Sequence, residues 1–496
     1  MISLIVNYIL ELDFKRKFQI LKDDKSILIF SLIFLIHLIW FFNTQNFKYA
    51  FHDIGNKAIL ILYPIIIGTS EKFSRKRIKI ILLWFSASVV VSSLISTGIL
   101  VGAFNIEVND IRDISPFISH IRFSLLINVS IFSLAYFVFM RNMKTKKIER
   151  IFYFLIALWL VVFLFLLKSL TGILIFSIVL FITLIFTSFN LERKRHKILL
   201  QSILVFSFIF VAAFLIRSVN KYYTIEEVDF SNLETKTVRG NLYKHFINNT
   251  QVENGNYVWI YVCDNELMKE WEERSDYSYN STDAKNQKIR TTIIRYLSSK
   301  GLRKDSVGIA SCTEIDIKNI ESGLANYIYE NKFSIYPLIY KVIWQIDVYL
   351  KGNNPAGNSI TQRIEFLKAA KGIVSKNLFF GVGTGDVQDS FNTEYEIVKS
   401  KLPENRRHRA HNQYVTFLLT FGIFGFMILF FSMIYPIFLR KGFHNYLFII
   451  FLAIALLSFI NEDTLETQTG VTFFSYFYSL FLFGSKMIFK NNKDYV

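Results

Sequence analysis

The chain has 496 residues, of which 52% are hydrophobic, 17% aromatic (52 of them Phe) and only 19% charged. A mean hydropathy of +0.35 excludes a disordered chain and leaves too little charge to coat a soluble globule, and 6 Pro and 21 Gly exclude collagen-like or low-complexity architecture. The formal charge of +17 is spread between apolar runs rather than over a soluble domain, which argues for membrane orientation and against nucleic acid as a partner.

Met1 to Leu12 is apolar but too short to span, and no small-residue cleavage site follows it, so it reads as an interfacial amphipathic helix. A crossing helix needs about 20 mostly apolar residues. Runs near that length lie at 26–43, 56–70, 78–103, 121–140, 151–167, 170–190, 198–217, 412–439, 445–461 and 470–489. Every second flank is basic: Lys15 to Lys17, Lys72 with Arg75 to Arg77, Arg141 to Arg150, Arg193 to Arg195, Arg440-Lys441, and Lys490 with Lys493. By the positive-inside rule these flanks are cytoplasmic, as are both termini, and 44–55, 104–120, 168–169, 218–411 and 462–469 face outward. The expected fold is therefore an all-α polytopic membrane protein of about ten, at most twelve, spans. It divides into a membrane part at 1–217, a large, mainly helical outer domain at 218–411 and a second membrane part at 412–496.

The outer segment is polar and mixed in charge. Tyr257 to Val262 reads as a short β run, 264–274 and 285–299 as helices with Asp264 as an N-cap, and Tyr336 to Tyr349 as an aromatic helix ended by the turn cluster Gly352 to Asn358. Ile360 to Val374 has a helical period that presents Arg363 beside its buried face. Cys263 and Cys312 both fall in this segment, and an oxidising exterior would favour a disulfide between them. No zinc-type Cys/His spacing or EF-hand loop occurs, so no metal or other cofactor is expected.

The richest stretch is Arg406-Arg407-His408-Arg409-Ala410-His411-Asn412-Gln413-Tyr414, directly before a long apolar run. An imidazole can take a proton from a hydroxyl near neutral pH, and guanidinium groups grip phosphate oxygens with two parallel hydrogen bonds. Basic residues anchoring in lipid headgroups are the plain alternative. Gly381-Val382-Gly383-Thr384-Gly385-Asp386 is glycine-dense, but no βαβ unit or Walker lysine accompanies it; it reads as a tight turn whose amides could meet an anion. His120 and Arg122 stand where an outer loop enters the fourth span, Lys168 with Ser169 in the outer turn between spans five and six, and Asn461-Glu462-Asp463 at the outer end of the ninth. All these polar groups are expected on one face of the membrane.

With these residues assembled, the chain resembles the O-antigen ligase and O-antigen polymerase superfamily of bacterial membrane glycosyltransferases. The resemblance rests on His411-Asn412-Gln413-Tyr414 leading into Phe417 to Gly425, on the Arg363 helix, on the Gly381 to Asp386 turn and on the large preceding outer loop, and is strongest over about 355–440. It implies transfer of a glycan from undecaprenyl pyrophosphate to a hydroxyl of a lipid A-core or other glycan acceptor. The reaction would run on the outer face of the inner membrane, among its lipids, without a required metal. It also implies His411 as the base and Arg363 as a pyrophosphate ligand, with Arg122, Arg409 and Lys168 as further phosphate contacts. Asn412, Gly381, Gly383, Gly385, Asp386, Glu462 and His120 would support them. Leu170 stands where the family often has an arginine, which leaves Lys168 to supply that charge. The competing functions are a repeat-unit polymerase, a transporter for a lipid-linked saccharide and a non-enzymatic surface scaffold. The transporter reading requires charge at mid-membrane or an internal repeat, and the spans show neither.

Overall fold

The computed structural model describes residues 2–104, 106, 111–139, 145–331, 334–352, 354–355 and 357–485. The basic flanks at Arg141 to Lys144 and at Lys490 and Lys493, and Asn353 and Ala356 of the predicted turn, lie outside the described residues. The chain is an all-α polytopic membrane protein. Two short helices, α1 (Ile2–Leu10) and α2 (Phe14–Asp23), lead into α3 (Lys25–Ile39), α4 (Phe47–Lys57), α5 (Ile59–Thr69), α6 (Arg75–Leu100), α7 (His120–Phe139), α8 (Lys147–Leu166), α9 (Leu170–Phe189) and α10 (Lys194–Tyr223). The hairpin β1 (Val252–Glu253) and β2 (Asn256–Tyr257) follows, then α11 (Asp264–Glu272), α12 (Ile289–Ser299), α13 (Ser306–Ala310), α14 (Glu314–Glu321) and α15 (Tyr336–Leu350). The last elements are α16 (Ser359–Lys376), α17 (Val387–Ile397), α18 (Gln413–Leu439), α19 (Tyr446–Asn461) and α20 (Gln468–Tyr478), the last continued by a π-turn over Ser479–Gly484.

Among the described residues, eight segments are long and apolar enough to cross a membrane. The expected spans at 445–461 and 470–489 are helical too, but shorter. The largest difference lies at the second span. The sequence places 44–55 in an outer loop, whereas α4 and α5 run together as an apolar segment from Phe47 to Thr69. Asp53 and Lys57 hide this helix from a hydropathy reading, because each is charged yet both are buried, paired one turn apart. Polar caps close the apolar helices: Ser74 accepts from the amide of Arg77, Ser169 from Gly172, Asn445 from Phe448 and Thr467 from Gly470.

The chain forms two compact units, Met1–Leu204 with Pro355–Val496, and Val205–Asn354. In the first, α7 is the most buried of the long apolar helices and packs against α6, α8, α9 and α19. Its crossing with α9 uses small and polar side chains, as membrane helix pairs do: the Asn128 amide donates to the carbonyls of Ser124 and Gly172. The boundary at Pro355 differs from the expected outer domain at 218–411. Helices α16 and α17 group with the first unit because Phe366, Ala369, Ala370, Ile373, Val387, Phe391 and Tyr395 share one core with Ala410 and Leu419.

The second unit is built around Val258, Val262, Leu267, Trp271, Ile293, Tyr296 and Leu297. Asn254 and Gly255, both at positive φ, make the two-residue turn of its hairpin, the backbone that Asn-Gly favours between right-twisted strands. The predicted β run at 257–262 is reduced to Tyr257 in β2 and bridges at Val262. Asp264 is not the N-cap of α11. It is the first helical residue, and its carboxylate takes hydrogen bonds from Arg290 and Tyr279 instead. The expected disulfide is absent: Cys263 and Cys312 are both free thiols, buried beside α11 and after α13, and the Cys312 thiol turns back to the Gly308 carbonyl.

Candidate functional site

Helix α18 begins at a backbone that sequence patterning alone does not foresee. His411 has φ of 48°, the left-handed region that costs a side chain with a Cβ about 1–3 kcal/mol unless its surroundings over-determine it. Asp463 supplies that constraint. Its carboxylate accepts from the His411 amide and the Asn412 amide, each at 3.1 Å, and from the Thr416 hydroxyl at 2.7 Å. Burial pushes the Asp463 carboxyl up from its ordinary range, against the pull of the Thr416 hydrogen bond. Asn412 then caps α18 by accepting from the Val415 amide, and its own amide donates to the Ile460 carbonyl at the end of α19. The histidine is thereby fixed in direction by the loop after α19.

Its ring lies against Glu462. Nδ1 of His411 is 3.8 Å from one Glu462 oxygen, and Nη2 of Arg363, from α16, is 3.1 Å from the other. One carboxylate therefore joins the imidazole and the guanidinium that the sequence singles out. The His411 side chain is 37% exposed and that of Arg363 34%, so both stay open to a ligand. Phe366, one turn after Arg363, lies 5.6 Å from the His411 ring and 5.9 Å from His408, whose imidazole burial lowers below its ordinary value, assisted by His411 and Arg406.

Behind these groups is a buried ionic cluster. Lys57 bonds Asp53 at 2.7 Å and Glu466 at 2.9 Å; Glu466 also receives Gln413 at 3.0 Å and Arg409 at 3.4 Å. Gln413 accepts in turn from the Leu465 amide at 2.7 Å. Burial alone would raise the Glu466 carboxyl, but Lys57 and Arg409 outweigh it and hold it well below its usual range. Arg409 lies 4.9 Å over the Tyr49 ring, and its Nη2 is buried without a hydrogen bond among the described residues. Lys57, Asp53 and Glu466 are not among the residues sequence reasoning selects, whereas Gln413 stands in the motif at 411–414. The available signal is the Asp53/Lys57 spacing of four residues beside an apolar run, a helical ion pair where a loop is expected.

The glycine turn packs against a break in α18. Helix α18 breaks at Gly422, at φ of 61°, and the strip at 378–383 lies against the break. The Val382 and Gly383 amides donate to the Leu419 and Thr420 carbonyls, and the Ile423 amide donates to Leu378. Trp40 and Asn43, in the 3-10 turn after α3, donate to the Phe380 and Gly381 carbonyls. The Gly381 amide goes to Asn377, that of Gly385 to the Thr44 hydroxyl, and Asp386 accepts from the Gln45 and Asn46 amides. These hydrogen bonds hold the turn against the broken α18 and the segment after α3, as non-helical backbone buried among apolar spans requires. A Cβ on Gly381 would stand 2.4 Å from the Thr420 carbonyl, at a φ of +68°. Gly381→Ala is expected to cost about 3 kcal/mol or more and to lower the melting midpoint in detergent by several degrees; an unchanged midpoint would show that the break can relax.

Arg122, Lys168 and His120 are not drawn into the Glu462 cluster in the same way. His120 is the first residue of α7; Arg122 donates to Ser119 at 3.0 Å, and its Nε is buried without a hydrogen bond among the described residues. Lys168 is exposed in the left-handed turn between α8 and α9. Neither Arg122 nor Lys168 makes an ion pair with Glu462 among the described residues.

Residues 322–430 match the family model Wzy_C, described as O-antigen ligase. The matched segment carries Arg363, the glycine turn, Arg409, His411, Asn412 and α18 through the break at Gly422 to Phe430. No curated protein matches the chain significantly. Over this segment, the chain is related to the O-antigen ligase superfamily that its motifs resemble.

Proposed function

We propose that the protein is a glycosyltransferase of the O-antigen ligase type. It moves a glycan from undecaprenyl pyrophosphate to a hydroxyl of a lipid A-core or similar acceptor, on the periplasmic face of the bacterial inner membrane. The observation that carries this reading is the Glu462 carboxylate shared between His411 at 3.8 Å and Arg363 at 3.1 Å, both of which lie in the segment 322–430 that matches the O-antigen ligase model.

Glu462 faces Nδ1 of His411, which leaves Nε2 to accept the proton of the acceptor hydroxyl, the division of labour by which a carboxylate orients a catalytic imidazole. The acceptor oxygen forms its bond to the anomeric carbon as the bond from that carbon to the phosphate oxygen breaks. The electron pair leaves with the diphosphate, and the anomeric configuration inverts. Arg363 holds that diphosphate: one of its nitrogens contacts Glu462, and the remaining guanidinium donors address phosphate oxygens, with Arg409, Arg122 and Lys168 as further cations. Because pyrophosphate is already a good leaving group, placement and cationic stabilisation supply most of the rate.

The test is transfer by purified, reconstituted protein from a lipid-pyrophosphate glycan to a defined acceptor in the presence of chelator. Turnover is expected to persist in chelator and to fall about 10- to 100-fold in Arg363→Lys, because an ammonium is a point charge and not a planar fork. Loss of turnover on chelation would end the metal-free mechanism, and an unimpaired Arg363→Lys variant would remove Arg363 from the diphosphate.

A further inference from the structure

The second unit carries an aromatic surface outside its core. Segments 243–246 and 259–262 run side by side, joined by hydrogen bonds between Lys244 and Val262 and from the Phe246 amide to the Trp259 carbonyl. Their rings gather: Tyr243, His245 and Tyr261 lie 5.0 to 6.0 Å from one another, and Phe246 meets Trp259 edge to face at 6.2 Å. Trp259 reaches the edge of the core, whereas Tyr243, His245, Phe246 and Tyr261 belong to none of the apolar clusters. Phe246 is 46% exposed, with Leu242 and Ile247 exposed beside it.

Tyr261 is held at φ of 56°, a conformation that a bulky aromatic residue rarely adopts. Its amide donates to Nδ1 of His245 at 3.1 Å, its carbonyl accepts from the Lys304 amide, and Nε2 of His245 donates to the Glu234 carbonyl. Tyr261 is thus locked into a strained backbone that brings its ring beside His245 and Tyr243. Strain of this kind persists where the surroundings enforce it, and often where a site needs it.

Planar polar groups rim the rings, and one of them covers a face of Tyr261. The Arg303 guanidinium stacks 3.3 Å over Tyr261 and pairs with Glu234; that of Arg290 lies 5.7 Å from Trp259 and pairs with Asp264, which Lys244 also approaches; the Gln251 amide oxygen accepts from the Trp259 indole at 2.9 Å. A pyranose has an apolar C–H face that stacks on an aromatic ring and a rim of hydroxyls that bond to carboxylates, guanidinium groups and amides. The charges at this surface are largely paired among themselves, which suits a neutral or weakly acidic sugar better than a polyanion.

We infer that this surface, centred on Tyr261, His245 and Phe246, binds the polysaccharide as a platform separate from the catalytic residues. The identity of the ligand rests on the glycan-transfer reading; its binding does not depend on catalysis. The test therefore uses full-length His411→Ala protein in detergent, titrated by calorimetry with polysaccharide released by mild acid from cells that make the protein. Saturable binding is expected, weakened about tenfold or more by Tyr261→Asn and by Phe246→Ala. Asparagine tolerates the left-handed backbone that tyrosine endures, so Tyr261→Asn is expected to keep or raise the melting midpoint while losing affinity. Unchanged affinity in both variants, no binding by the parent protein, or a lowered midpoint in Tyr261→Asn would overturn the proposal, the last because the ring would then serve packing. Binding that survives while the parent chain, with His411 intact, shows no transfer activity would sink the catalytic reading and leave the platform standing.

Discussion

His411→Ala is expected to reduce glycan transfer about a thousandfold, the scale of a lost general base, with the melting midpoint and membrane insertion unchanged. The backbone of residue 411 is held through amides, by Asp463, and not through the imidazole, so alanine keeps the helix start while removing the base. Among the described residues the ring makes no short hydrogen bond whose loss would strand a buried partner; the nearest carboxylate oxygen there is 3.8 Å away and Glu462 retains Arg363. Transfer rates in the reconstituted assay decide the matter. Full activity in His411→Ala would remove the base assignment, whereas a fall in activity accompanied by a fall in melting midpoint would place the effect in the fold.

Glu466→Ala should be the most destabilising substitution at the site, by about 3–5 kcal/mol, because removing one partner of a buried ionic cluster strips Arg409 of its paired carboxylate and leaves Lys57 only Asp53. Lys57 and Arg409 both address this carboxylate, and Gln413 donates to it, so one truncation strips contacts from three side chains. Glu466→Gln keeps hydrogen-bonding capacity without charge and should fall between. Thermal unfolding in detergent reads the difference; a midpoint for Glu466→Ala equal to that of the parent would show the cluster to be ornamental. The pH dependence has a definite sign. Because Lys57 and Arg409 hold the Glu466 carboxyl below its ordinary value, its contribution is present at neutral pH and is lost as pH falls through that depressed value.

The positions of these two residues show why one was legible and the other was not. His411 announces itself locally, an imidazole among arginines at the start of a long apolar run, and Arg363 stands on a helix whose period is visible in the chain. Glu466 looks like one acid among several in a short polar loop. Its meaning depends on Lys57, 409 residues away in the chain, at the start of the expected span 56–70, and on Asp53, which hydropathy assigns to an outer loop rather than to a buried helix. The glycine turn is visible in the sequence as a turn, but nothing local reveals that α18 breaks at Gly422 and that the Val382 and Gly383 amides bond to it there. The cysteines failed for a related reason: compartment argues for pairing, but only packing decides whether two thiols meet.

By itself, the amino-acid order determined the all-helical membrane architecture, the places of most of the long apolar helices and the residue types able to move a proton and grip a diphosphate, because hydrophobic run length and helical period are properties of neighbouring residues. Tertiary structure alone decided that Glu462 joins Arg363 to His411, that Asp463 holds the histidine in a strained backbone, and that Pro355 onward packs with the membrane helices. Each of these depends on a carboxylate or an apolar face finding its partner across the fold, where burial makes the pairing obligatory and sequence distance carries no information.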